Sequence, residues 1–464
     1  MTEPVPIILT VQVGERKETR TKVIRSENPL PVICAFIQEF AAMIIRVYLC
    51  HRDDLLQAAI PKGLKNVGTE WRTFISDFGK IRFSRRVYKE PSGKRIKPLD
   101  DVLGLASYAR RTQDEEIRTC VLAAKSNYRY AAQIESLITH AGISPSTVSR
   151  IVKKVGGNIA ETDQNFFPKD PGNISAPILY AESDGTFVRL QKEQRKHLEI
   201  RSAIAYTGKK YTSKGRYRLE NKLTLTAADI PNLQWQEMLR NHLYASFDLS
   251  KVKLLAFGGD GASWVRQSFD LLCLPRKEFV LDPFHVHKAV REAYTGKVNI
   301  SDLIFRLHTQ GFDSVEKMLL PFNAPSRSKA SAVCRQCFNY LKNNQDALLS
   351  LSCRDLPFSD LQSLGCMESS IGKTLALRMK TRGCSWSVAG AAAMASILTH
   401  LPELEKNSFR FCSQKPPFTD KPSRKRKNSS SGESCIHHAS FPIVTSGLAS
   451  QPYFPLFKNI MFDQ

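Results

Sequence analysis

The chain has 464 residues, and 67 Lys and Arg stand against 44 Asp and Glu, for a formal net charge of +23 at pH 7. With 42% hydrophobic residues, it is long enough for two or three domains around a substantial core. The charge argues against an ordinary cytosolic metabolic enzyme and favours a polyanionic partner, nucleic acid before any other. No run reaches the roughly 18 uninterrupted apolar residues of a spanning helix, so no membrane partner is expected. Met1-Thr-Glu-Pro-Val-Pro lacks the basic start and apolar stretch of a signal peptide. The expected location is therefore cytoplasmic, at the nucleoid, with the 11 cysteines reduced.

Residues 1–70 read as a helical N-terminal region, dominated by the apolar stretch Val32 to Leu49, whose Glu39 and Arg46 mark a packed helix at a subunit contact. A homo-oligomer is expected. Residues 71–127 read as a basic β-hairpin and linker: two alternating runs between Trp71 and Tyr88 flank a turn at Gly79. Arg82, Arg85 and Arg86 are either ordinary surface charges or direct contacts to double-stranded DNA.

Over 128–160 the spacing predicts a helix-turn-helix. Ala131, Ile134, Leu137 and Ile138 recur at one helix face. Ser144 and Pro145 then supply an N-cap and a first helical residue. The second helix turns Val148, Ile151, Val152 and Val155 inward and leaves Thr147, Ser149, Arg150, Lys153 and Lys154 for a DNA groove. An ordinary helical hairpin has the same pattern; the global charge favours DNA binding.

From about 177 the texture is that of strands. Ile178 to Leu190, His197 to Tyr206 and Tyr217 to Thr226 suggest a meander. A helix at Pro231 to Tyr244, a strand ending near Phe257, a helix from Ser263 and a strand at Glu278 to Asp282 follow. The order βββαβαβ is that of an RNase H-like core, so the fold class is α/β. Its first part covers 175–286, an all-helical insertion 287–362, and the final core helices 363–405. Residues 406–464, with the basic run Arg424 to Lys427 and the polar stretch after it, read as a disordered tail.

Three acids stand in contexts suited to phosphoryl chemistry. Asp184 lies on a strand beside Gly185. Asp260 sits between Gly259 and Gly261 at a strand's carboxyl end, and Glu368 opens a helix whose Ile371 and Leu375 follow helical spacing. An RNase H-like fold gathers such acids to hold two divalent ions roughly 3.5 to 4 Å apart, and oxygen-only ligation favours Mg²⁺ or Mn²⁺. Asp184 would bridge both ions, while Asp260 and Glu368 would each complete one. Glu182, on the same strand face, rivals Asp184 as ligand. Asp260 also suits a structural Asx-turn and Glu368 a helix dipole. Cys334 and Cys337 have zinc-knuckle spacing, with only the irregularly placed Cys353 and Cys366 to complete a site.

Four strings carry a resemblance: Ser183-Asp-Gly-Thr-Phe-Val, Gly259-Asp-Gly-Ala-Ser-Trp, Leu281-Asp-Pro-Phe-His-Val-His-Lys and Met367-Glu-Ser-Ser-Ile-Gly-Lys. With Gly383-Cys-Ser-Trp-Ser after them, they resemble bacterial insertion-sequence transposases of the Mutator-like DDE group, in the branch also catalogued as an uncharacterised transposase-like family. The resemblance implies a DDE transposase that cuts element ends and joins the freed 3′-hydroxyl to target DNA. Asp184, Asp260 and Glu368 would be its triad, and Asp282 and His285 its Asp-x-x-His signature near the active site. The alternatives are an inactive relic that only binds DNA, favoured by termini that depart from the family pattern, and a structure-selective nuclease of the same fold.

Overall fold

The computed structural model describes residues 5–24, 30–61, 63–76, 78–103, 105, 107–213, 216–323, 329–381 and 383–408. The tail expected at 406–464 lies outside them from residue 409 onward. Ile7, Leu9, Val11 and Val13 alternate inward, which is the period of a strand. The first elements are accordingly an antiparallel hairpin, β1 (Val5–Val13) and β2 (Arg16–Ile24). This corrects the expectation of a helical region over 1–70, because the apolar weight of the following helix masked that alternation.

That helix, α1 (Leu30–Ala58), is the described segment long and apolar enough to cross a membrane. It serves here as a spine. Met43 and Val47 pack with Val11 of β1, and Leu49 packs with Phe74, Ile81 and Phe83 of a second hairpin. The second hairpin, β3 (Lys65–Ser76) and β4 (Gly79–Lys89), begins earlier than the sequence suggests and gains a short third strand, β5 (Arg95–Ile96). A short helix, α2 (Pro98–Val102), then supplies Asp100.

Two of the three arginines expected at DNA are spent inside the protein. Arg85 is 4% exposed, with Nε 2.9 Å from Asp100, and Arg86 reaches both Asp53 at 2.7 Å and Asp54 at 2.9 Å. Arg85 and Arg86 are therefore corrected from DNA contacts to ion pairs within the fold. Arg82 stays exposed, stacked 4.8 Å above the Trp71 ring. The Arg16 guanidinium, hydrogen-bonded to Asp54, holds that carboxyl at about 2 against an ordinary 3.8, with Arg86 adding to the effect. A carboxyl held down in the folded state contributes stability that is fully present above 3.8 and is lost as pH falls through 2. Melting temperature should decline over that interval, and Asp54→Asn should flatten the decline; the partly exposed pair makes the effect modest.

Three helices follow: α3 (Gln113–Lys125), α4 (Tyr128–Thr139) and α5 (Pro145–Gln164). Ser144 caps α5 as its sequence predicts, its hydroxyl accepting from the Thr147 N–H at 3.2 Å. Val148, Ile151 and Val152 are buried, while Arg150, Lys153 and Lys154 are exposed. Lys154 also pairs with Glu116 at 2.8 Å, and the Thr147 hydroxyl accepts from Arg150 at 3.1 Å. Helix α5 extends beyond the expected 160, and Gly156 lets it pass close to a later helix: a Cβ there would lie 2.2 Å from the Ala393 carbonyl oxygen.

The central sheet has five strands. They are β6 (Ile178–Arg189), β7 (His197–Tyr206), β10 (Leu223–Ala228), β11 (Leu254–Gly259) and β12 (Lys277–Leu281). Their order is β10-β7-β6-β11-β12, with the first three antiparallel and β6, β11 and β12 parallel. The single strand expected at Tyr217 to Thr226 is broken at Asn221, where φ is 49°. Its first half is instead a strand of a separate hairpin, β8 (Gly208–Ser213) with β9 (Arg216–Glu220).

Helices α6 (Asn232–Ser246) and α7 (Ser263–Leu271) flank β11, and α8 (Pro283–Tyr294) follows β12. Then come α9 (Ile300–Gln310), α10 (Asp313–Leu319), α11 (Lys329–Asn343) and short 3₁₀ turns. Among the described residues between 287 and 362 there is no strand, as the helical-insertion reading requires. The chain closes with α12 (Met367–Ile371), a π turn over Gly372–Ala376, α13 (Leu377–Met379), α14 (Val388–Thr399) and α15 (Leu401–Ser408).

Strand alternation sends Leu179, Ala181, Leu255, Phe257 and Leu281 to one face of the sheet, against α6 to α9 and α11. Tyr180, Ala256 and Val280 go to the other face, where Cys366, Met367 and Ile371 cover them. Trp264 and Trp386 are buried.

Candidate active site

In the sheet register Ser183 of β6 lies beside Gly259 of β11, which lies beside Leu281 of β12. The next residue on each of these three parallel chains is an aspartate: Asp184, Asp260 and Asp282. Continuing the alternation sets all three on the face that α12 covers, where α/β sheets present functional groups at their carboxyl ends. Each aspartate is fixed by its own turn. One Oδ1 accepts from the Gly185 N–H at 2.7 Å, another from the Ala262 N–H at 2.9 Å, and the third from the Phe284 N–H at 2.9 Å, where Asp282 caps α8. The Asx-turn at Asp260 is thus real, and it leaves Oδ2 without a hydrogen bond among the described residues.

The electrostatics are those of crowded like charges. Burial raises the Asp260 pKa, and the neighbouring Asp184 raises it further. Asp282 is pushed up to about 6, by burial first and by Glu182 and Asp184 in addition. His285 is the cation facing this group. Its Nε2 lies 3.5 Å from Asp184 Oδ2, and Asp184 holds the imidazole above its ordinary range although that nitrogen completes no hydrogen bond. Oxygen donors of this kind suit a hard divalent ion, and the His285 imidazole is the charge partner of Asp184 rather than a ligand.

Glu182 is removed as a rival ligand because its carboxyl group is used up. Oε2 accepts from the N–H groups of Gly365, Cys366 and Met367 at 3.0, 2.7 and 3.0 Å, and Oε1 accepts from the Tyr206 hydroxyl at 2.7 Å. Glu182 therefore clamps the start of α12 to β6, two residues from Asp184. Its sequence context shows an acid on a strand but nothing of this role, since the three N–H groups it clamps lie more than 180 positions away.

Glu368 follows directly on the clamped turn, but it is exposed and no contact joins it to the aspartates. Among the described residues no group of three or more His, Cys, Asp or Glu side chains is arranged so that it could hold a metal ion as it stands. The structure thus brings together Asp184, Asp260, Asp282 and His285 and leaves Glu368 on a neighbouring rim. His287 does not join them; its Nε2 is 3.0 Å from Nε2 of His308 on α9. The zinc reading is not met either. Cys334 donates to the Ala293 carbonyl at 3.1 Å, Cys353 is exposed, and Cys366 lies against the Tyr206 and Tyr217 hydroxyls.

A mixed α/β core with an aspartate at each of three adjacent strand ends defines the class. Within it, the chain belongs to the uncharacterised protein family UPF0236, whose family model matches residues 33–403. The UPF0236 protein TTE2489 of Caldanaerobacter subterraneus subsp. tengcongensis is 21% identical over 338 residues, covering 69% of this chain and 66% of its own length. A second UPF0236 protein of that organism, whose name joins eleven designations from TTE0033 to TTE2212, is 22% identical over 338 residues, covering 69% of this chain and 65% of its own. A third, TTE0402, is 21% identical and is covered over 62% of its length. The chain therefore spans slightly less than two thirds of the length of these relatives.

Proposed function

We propose that this protein is a DDE transposase of the Mutator-like group, built on an RNase H-like core and acting on DNA phosphodiesters. The observation that carries the reading is the row Asp184, Asp260 and Asp282 at one level of three adjacent strand ends. The sheet supports it: numbering the five strands along the chain gives the order third, second, first, fourth, fifth, with the first three antiparallel, as an RNase H-like core requires. The relative named under eleven designations in one organism adds the multiplicity expected of an element that copies itself. Helices α4 and α5 act as the helix-turn-helix, presenting Ser149, Arg150 and Lys153 to a DNA groove.

Asp184, Asp260 and Asp282 would hold Mg²⁺ or Mn²⁺ through carboxylate oxygens, and Glu368 would join them from the clamped helix. Such ions, when bound, activate the attacking oxygen and stabilise the leaving one. Asp184 orients His285, and Glu182 keeps the helix with Glu368 against the strand that carries Asp184. Because cation binding relieves repulsion among the aspartates, Mn²⁺ should raise the melting temperature of the wild-type chain. Asp260→Asn should lose most of that shift, and EDTA should abolish it. An equal shift in both proteins would argue against a metal at these residues.

One observation favours a second reading, a relic that binds DNA without cutting it: Glu368 stands apart from the aspartates. Incubation with the DNA flanking the gene and Mg²⁺ separates the two, since the relic shifts the DNA in a gel without nicking it.

A further inference from the structure

A cleft of about 1210 Å³ opens away from the aspartates. It lies between the β8–β9 hairpin and the start of α12, with Cys366, Ser369 and Ser370 in its wall. Five cations line it: Lys210, Arg216 and Arg218 on the hairpin, Lys222 just beyond it, and Lys373 on the π turn opposite. Glu220 is the one acid in the lining, and none of the five cations makes an ion pair among the described residues.

That is unlike Arg85 and Arg86 of the β3–β4 hairpin, which Asp53, Asp54 and Asp100 neutralise. Burial, and then the charge of Lys373, lower the Lys222 pKa against smaller opposing contributions from Cys366 and Glu182, and the Lys222 ammonium donates to the Ser370 hydroxyl at 3.2 Å. The hairpin wall is anchored. The Lys209 N–H donates to the Gln362 side-chain oxygen at 2.6 Å, and its ammonium binds the Ser363 carbonyl and hydroxyl. Tyr211, 68% exposed, meets Tyr217 edge-on with ring centres 5.9 Å apart and offers a free aromatic surface at the rim.

We propose that this cleft binds the phosphodiester backbone of a DNA strand and holds it against the start of α12. The proposal rests on the catalytic reading above, which makes a phosphodiester the reacting group. Five cations without an ion-pair partner match successive phosphates, the exposed Ser369 adds a hydroxyl donor, and Tyr211 supplies a face on which a base can stack.

The test uses the full chain without divalent metal and a labelled single-stranded oligonucleotide of about 12 nucleotides. The triple variant Lys210→Glu, Arg216→Glu, Arg218→Glu should bind at least about tenfold more weakly. Its plot of log affinity against log salt should flatten by about 2, three lost contacts at about 0.7 each. Lys373→Glu, on the opposite wall, should flatten the plot by about 0.7 and guards against misfolding of the triple variant. Wild-type salt slopes in both charge variants overturn the proposal even if DNA is cut. Lost binding in the charge variants, together with no metal-dependent cutting by the wild type, keeps the cleft and rejects the catalytic reading.

Discussion

Asp184→Asn should abolish DNA cutting and joining, by at least two to three orders of magnitude, while leaving the melting temperature unchanged or higher. The two halves of this result have one cause. Asp184 lies buried among carboxyl groups whose pKa values its charge helps to raise, so neutralising it removes repulsion from the folded state. Its one hydrogen bond within the chain is accepted from the adjacent Gly185 N–H, and an asparagine side-chain oxygen preserves it. A residue retained for stability would behave in the opposite way, losing stability with its charge. His285 adds a spectroscopic check. With Asp184 neutral, the imidazole loses the partner that holds its pKa up, so its NMR titration should move downward. Loss of activity with a clear fall in melting temperature would instead mark Asp184 as structural.

Glu182→Ala should be the most destabilising single change near the site, on the order of 3 to 5 kcal/mol. It would strip a 2% exposed carboxyl group from three backbone N–H groups and the Tyr206 hydroxyl. The N–H groups belong to the turn that opens α12, so hydrogen exchange should accelerate first over residues 365–376, and activity should fall with it. Glu182→Gln keeps an oxygen for the three N–H groups and turns its amide toward the Tyr206 oxygen, so its loss should be much smaller. A Glu182→Ala protein with wild-type stability would show that α12 is held by its apolar face alone, through Met367, Ile371 and Leu375.

What could be read from the sequence divides along the range of the interactions. Asp184 and Asp260 were legible because their contexts are local, a strand beside a glycine and an apolar run ending in Gly258 and Gly259. The Ser144 cap and the α5 face were legible for the same reason. Asp282 follows Phe279, Val280 and Leu281 much as Asp260 follows its own strand, yet only the sheet register sets it level with the other two. Arg85 and Arg86 looked like DNA contacts because the chain shows their charge but not Asp53 and Asp100, which meet them only after folding. The β8–β9 hairpin was hidden by an alternation that runs through Tyr217 to Thr226 without a proline or glycine; the break is a left-handed asparagine at 221. Glu368 is the converse case. Its helix was foreseen, but the clamp that fixes the start of that helix is made by a strand residue nearly the length of a domain earlier.

The central claim is that the aspartate row joins DNA strands as well as cutting them. The most direct measurement is to incubate the wild-type chain with Mg²⁺, a labelled DNA end from the gene's flank bearing a free 3′-hydroxyl, and an unlabelled plasmid. The products are then resolved on a denaturing gel. The account predicts label covalently transferred to plasmid-sized strands, dependent on the metal and absent with Asp184→Asn; bound or cleaved DNA with no joined product would contradict it.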